Sequence, residues 1–198
     1  MVPLALILAL LVAQDAARSG WAGRLPVIVT QAPQVLSREA AVVEVHAAVE
    51  GGDLRLRLTL DRPVKDVLYL PDGTPVSGRL RAAVLIDTDG DRSTGLDEGE
   101  RDLRTGAERR LDVETISVQA DPDEKRPGQG VVAATLRALE RDGRRRVLWR
   151  GDDTGVGGVT TADRFVEIRL PAAHVGLGAR ARLVLDSRGR TWAGQLNR

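Results

Sequence analysis

The segment Asp53-Leu54-Arg55-Leu56-Arg57-Leu58-Thr59-Leu60 decides the fold. Leucine falls at every second position, with Arg55, Arg57 and Thr59 between. Successive side chains of a strand point to opposite faces. This spacing therefore predicts a strand with a buried leucine face and a solvated polar face. A helix would spread the same leucines around its whole circumference.

The same period recurs outward from this segment. Ala41 to Val49 puts Val43, Val45, Ala47 and Val49 on one face, with His46 out of phase on the more polar face. Arg79 to Ile86 and Arg110 to Gln119 read as strands. In the second, Leu111 and Val113 share one phase and Ile116 and Val118 the other, which predicts a β-bulge near Thr115. Val131 to Leu139 and Arg146 to Arg150 flank Arg141-Asp142-Gly143-Arg144, a hairpin signal. Arg164 to Leu170, Ala181 to Asp186 and Thr191 to Leu196 complete the series, the last two around Ser187-Arg188-Gly189. Glu50-Gly51-Gly52, Pro71-Asp72-Gly73 and Gly151-Asp152-Asp153 mark turns, Pro171 to Leu177 one helical turn, and Asp121 to Gly130 an exposed loop. About eight to ten short strands at regular spacing predict an all-β chain, an antiparallel sandwich or barrel.

Composition narrows the chemistry. The chain has 198 residues and no cysteine, which excludes disulfides, zinc–thiolate sites, iron–sulfur clusters and cysteine nucleophiles. The net charge of +1 gives no reason to expect a nucleic-acid partner. Lys65 and Lys125 are the only lysines, a bias that fits GC-rich coding. Val2 to Ala13 has the length of a signal-peptide core and is short for a bilayer span. The expected organisation is a signal peptide at 1–13, a spacer at 14–25 and one β-sandwich domain at 26–198. The mature chain would then be secreted or periplasmic, without a transmembrane span.

Between two predicted strands lies Asp87-Thr88-Asp89-Gly90-Asp91-Arg92-Ser93-Thr94-Gly95. Carboxylates at alternate positions of a short glycine-bearing loop can surround one hard cation, and calcium takes six to eight oxygens. The spacing of Asp87, Asp89 and Asp91, with Glu98, matches an EF-hand loop. Arg92 stands where that loop needs glycine, and the preceding segment is a strand, so an EF-hand is not the expectation.

The run Ile86-Asp87-Thr88-Asp89, Ser93-Thr94-Gly95, an acidic loop and then Gly106-Ala107-Glu108 resembles the DOMON-like sandwiches, including the family 9 carbohydrate-binding modules. Phe165-Val166-Glu167-Ile168-Arg169-Leu170-Pro171 followed by Val175-Gly176-Leu177 resembles the strand and turn near the end of those domains. The resemblance covers most of 40–186. It implies a jelly-roll-like β-sandwich, a structural calcium ion, a sugar or haem ligand and no catalysis.

The expected calcium ligands are Asp87, Asp89 and Asp91, with Glu98, Asp97 or Glu108 and a carbonyl near Ser93 completing the shell. The alternative is a solvated acidic turn in which Asp and Gly satisfy only backbone groups. Trp149 and Trp192 are the candidate faces for carbohydrate; the competing reading places them in the core. Haem ligation would fall to His46 and His174, the only histidines. No G-x-S-x-G or H-E-x-x-H motif is present, so the chain is read as a non-catalytic binding protein. The alternatives are a structural or interaction module of the cell envelope, and a hydrolase whose carboxylate pair carries no motif.

Overall fold

The computed structural model describes residues 39–64, 67–69, 75–77, 79–96, 106–117, 130–178, 180–187 and 190–195. The proposed signal peptide and spacer, Pro71-Asp72-Gly73 and Glu98 lie outside the described residues. The strands are β1 (Glu39–Ala40), β2 (Val42–Glu50), β3 (Asp53–Leu60), β4 (Val67–Tyr69), β5 (Pro75–Ser77), β6 (Arg79–Asp87) and β7 (Arg109–Ser117). They continue as β8 (Gly130–Leu139), β9 (Arg145–Asp152), β10 (Val159–Ala162), β11 (Phe165–Leu170), β12 (Arg182–Ser187) and β13 (Arg190–Gln195). A helical turn, Ala172–Val175, ends in the left-handed Gly176. Among the described residues no helix is long and apolar enough to cross a membrane.

The strands form an antiparallel β-sandwich. One layer has seven strands, running β13-β12-β6-β7-β8-β9 with β1 beside the start of β6. The other runs β10-β11-β3-β2, and β4 and β5 make a separate hairpin. The only parallel pair among the described strands is β1 with β6. Thirteen strands are assigned among the described residues, the additional ones being short. The short β4–β5 hairpin and β10 carry too little alternation to be read, and the two-residue β1, before the layer change at Ala41, precedes the expected strand Ala41 to Val49.

The leucines of β3 do what their spacing dictates. Leu54, Leu56 and Leu58 pair with Leu170, Ile168 and Val166 of β11, and with Val49, Ala47 and Val45 of β2. Against them, the larger sheet presents the row Leu185–Val84–Leu111–Leu136–Trp149 across β12, β6, β7, β8 and β9. Residues of both layers form one contiguous core. Each fully buried leucine there contributes roughly 1.5–3 kcal/mol of transfer free energy.

The other face of β3 is less solvated than its sequence predicts. Arg57 lies over the Phe165 ring at 3.8 Å and pairs with Glu167 at 3.4 Å. These long side chains lie across the sheet, and Thr59 and His46 are buried on this polar face. His46 Nε2 stands 2.8 Å from the Glu44 carboxylate.

The predicted bulge near Thr115 is absent: β7 pairs with β8 in unbroken register from Arg109 to Ser117. Ile116 faces solvent, 47% exposed, because β6 pairs with β7 only as far as Glu114. Register shifts occur at two other places. One lies between Val42 and Glu44, so that Val42 is buried while Val43 leaves the expected face. The other lies opposite Leu136 and Arg137, where the extra Leu148 lets Leu148 and Trp149 both pack on the core.

Candidate metal centre

β6 ends at Asp87 and β7 begins at Arg109, and the acidic loop closes over the outer side of their sheet. Leu96 and Ala107 bridge the loop, with Leu96 N–H donating to the Ala107 carbonyl at 2.9 Å and the reverse bond at 3.0 Å. Both residues pack with Leu85, Leu139 and Val184 in a second apolar cluster. From the other side, Gly178 N–H donates to the Thr88 carbonyl at 2.7 Å. Gly90 has φ +76°, and a Cβ there would fall 2.4 Å from the Arg180 carbonyl oxygen. The tip thus needs glycine for both conformation and space.

This closure brings Asp87, Asp89 and Glu108 together, with one carboxylate oxygen from each within 4.8 Å of the others. Asp87 is buried, Glu108 half-buried and Asp89 exposed. Asp87 Oδ1 accepts the Gly90 N–H at 2.6 Å, and Oδ2 faces Arg182 Nη1 at 3.3 Å. Glu108 Oε2 accepts the Thr88 N–H at 2.7 Å. Asp89 Oδ1 accepts the Asp91 N–H at 2.8 Å. The Thr94 hydroxyl lies 2.9 Å from Glu108 Oε1, 3.0 Å from Asp89 Oδ2 and 2.8 Å from the Asp91 carbonyl. With a single hydrogen it donates to only one of them at a time.

Three carboxylates therefore face one another, with Arg182 as the cation paired to Asp87. Burial pushes the Asp87 carboxyl above its ordinary range, and the Glu108 and Asp89 charges add to that. The Gly90 N–H and Arg182 act in the opposite sense. A carboxylate held this way gains most from a nearby positive charge. The donor set is all oxygen, which suits a hard cation and not a thiophilic one. The arrangement can hold a metal ion.

Of the residues predicted for this site, Asp87, Asp89 and Glu108 converge. Asp91 stands outside the group: its Oδ1 accepts the Ser93 N–H at 2.9 Å and the Ser93 hydroxyl at 2.6 Å. Those bonds, the hydroxyl's first, hold its carboxyl below the usual range. Trp149 is half-buried on the inner face, its ring against Gly151 and Gly157, where a Cβ would come within 2.7 Å and 3.1 Å of ring atoms. Trp192 lies on β13 in register with Leu185. His46 and His174 are far apart in kind, one buried beside Glu44 and one exposed on the helical turn.

Comparison with protein-family models, curated proteins and solved structures finds no match.

Proposed function

We propose that this chain is an exported, non-catalytic binding β-sandwich whose acidic loop is fixed by calcium. The convergence of Asp87, Asp89 and Glu108 carries the metal part of the reading. Its oxygen-only donors and excess negative charge suit calcium, which tolerates irregular loops and fills its shell with hydroxyl, carbonyl and water oxygens. Magnesium demands stricter octahedral geometry. Export fits the apolar segment Val2 to Ala13 and a compartment where calcium is plentiful. In this role the ion neutralises the repelling carboxylates and ties the end of β6 to the start of β7.

Carbohydrate is the ligand class we propose, supported by the likeness of 40–186 to sugar-binding sandwiches. A glycan array probed with the purified protein, in calcium and in chelator, tests it. Binding of one glycan group that weakens in chelator is the expected result. A blank array under both conditions sinks the carbohydrate reading and leaves a structural module of the cell envelope.

A further inference from the structure

On the inner face of the larger sheet the row Leu185–Val84–Leu111–Leu136–Trp149 is apolar, and the next row toward the acidic loop is not. There the register runs Leu183–Ile86–Arg109–Ala138–Arg146 across β12, β6, β7, β8 and β9. Cross-strand partners share a face. Two arginines thus stand on the core side of the sheet, separated by the small, buried Ala138.

Arg109 is poorly matched by the protein itself. Its Nη1 donates to the Glu108 backbone carbonyl at 2.9 Å. Its Nε is buried without a hydrogen-bond partner, and no carboxylate among the described residues forms an ion pair with it. The Gly176 backbone closes over the group from the helical turn, with a Cβ there falling 3.8 Å from Nη2. Arg146 is 67% exposed and meets Glu140 only through Nε, at 3.5 Å. Burial disfavours the Arg109 charge most, the Glu108 charge offsets part of that, and the Arg146 charge adds to the cost. Other arginines have carboxylates close by: Arg110 and Arg137 share Asp112, Arg169 takes Asp53, and Arg182 takes Asp87. A partly desolvated guanidinium with an orphaned donor is costly, and placing a second cation in the same row adds to the cost. An anion between them would remove both penalties.

We propose that Arg109 and Arg146 bind an oxyanion over Ala138, at the end of the sandwich beside Gly176. A guanidinium offers planar, paired donors that match a carboxylate or sulfate group. The chemistry is shared by free anions and by acidic sugars. The site is separate from the carboxylate group and includes no metal ion among its partners.

The test is titration calorimetry of the full chain with sodium sulfate and with sodium glucuronate. Both run at constant ionic strength against sodium chloride, in chelator, so that no anion arrives through a bound metal. Saturable binding of sulfate or glucuronate above the chloride background is expected. The tighter of the two tells whether the site favours a sulfate or a sugar acid. Arg146→Gln, at an exposed position, should weaken binding by about tenfold or more while leaving the melting temperature in chloride unchanged. Arg109→Gln should abolish binding; if that variant does not fold, Arg146→Gln carries the test. Arg144→Gln is the control, since Arg144 is 81% exposed and pairs with Asp142 at 3.1 Å. No saturation with either anion overturns the proposal. So does equal affinity in wild type and Arg146→Gln, or an equal loss in Arg144→Gln.

Discussion

Calcium should raise the thermal stability of this protein, and the size of the rise follows from the site. The Asp87, Asp89 and Glu108 group offers few protein oxygens and one exposed member, so its affinity falls in the weak extracellular range, Kd about 10⁻⁴–10⁻³ M. In 10 mM calcium the ion is then at about 10–100 times Kd, a stabilisation of roughly 1.4–2.7 kcal/mol. For a chain of this size each kcal/mol moves the midpoint by about 2–4 °C, so the expected shift is about 3–11 °C. Asp89→Asn keeps the shape of an exposed ligand and an acceptor for the Asp91 N–H but removes its charge. It should lose most of the shift while leaving the midpoint in chelator nearly unchanged. The pH dependence has a definite sign. The folded Asp87 carboxyl titrates above its ordinary value of 3.8, so without metal its contribution to stability is fully present below that value. That contribution is lost as pH rises through the folded value. Calcium requires the ionised form, so the calcium increment should grow over the same interval and be complete at neutral pH. Differential scanning calorimetry at constant ionic strength measures all of this. Identical midpoints in calcium and in chelator at pH 7 would refute the reasoning.

Gly90→Ala forces a side chain into a left-handed position and against the Arg180 carbonyl. It should cost about 1–3 kcal/mol in a urea melt and blunt the calcium shift. Leu58→Ala empties a fully buried site between the layers, with an expected loss of about 2–5 kcal/mol and an unchanged calcium increment in °C. Asp53 and Asp152 are both held below the ordinary 3.8, by Arg169 first in one case and by the Thr154 hydroxyl first in the other. Their contributions are present above that value and lost as pH falls through the lowered ones. Relative to its own neutral-pH stability, the Asp53→Asn, Asp152→Asn double-substituted protein should therefore lose less on acidification than the wild type, as measured by urea melts followed by circular dichroism across the acid range.

The layers were legible because alternation reports burial directly. β3 spans the predicted residues without change, and β8, β11 and β12 differ only at their ends. β10 escaped notice because Val159-Thr160-Thr161-Ala162 follows a glycine-rich turn and shows only one buried residue, Val159. The β-branched run and the following turn, where Asp163 has φ 47°, were the available signal. The metal group was legible in part. Local spacing favours Asp91, one turn of sequence from Asp89, whereas Glu108 is twenty-one positions beyond Asp87. Which of them reaches the group depends on the register of β6 against β7, in which Ile86 meets Arg109. Register is a long-range property of side-chain packing, and no short motif encodes it.

That register also accounts for the charges at this end of the molecule. In β6 the inward phase is Leu80, Ala82, Val84 and Ile86, so Asp87 continues the outward phase of Ala83 and Leu85. Arg182, its partner in register on β12, lies on the same outward side. At the entry to β7 the adjacent residues Glu108 and Arg109 point to opposite faces. Glu108 joins Asp87 and Asp89 on the outside, and Arg109 turns inward beside Ile86. The two neighbours form no side-chain ion pair: Arg109 donates to the Glu108 carbonyl, and the Glu108 charge offsets only part of what burial costs the guanidinium. Strand alternation thus sorts acids to one side of the sheet and two arginines to the other. Each side is left with an excess of one sign, three carboxylates against Arg182 outside and two arginines against Glu140 inside, which favours a cation outside and an oxyanion inside. The two ions would bind back to back across one layer of backbone, and a pair of opposite charges at that separation attracts. Calcium should accordingly tighten glucuronate binding at Arg109 and Arg146, by a small factor, and Asp89→Asn should remove that enhancement without touching the chelator value. An affinity for glucuronate that falls when calcium is added would contradict this placement of the charges.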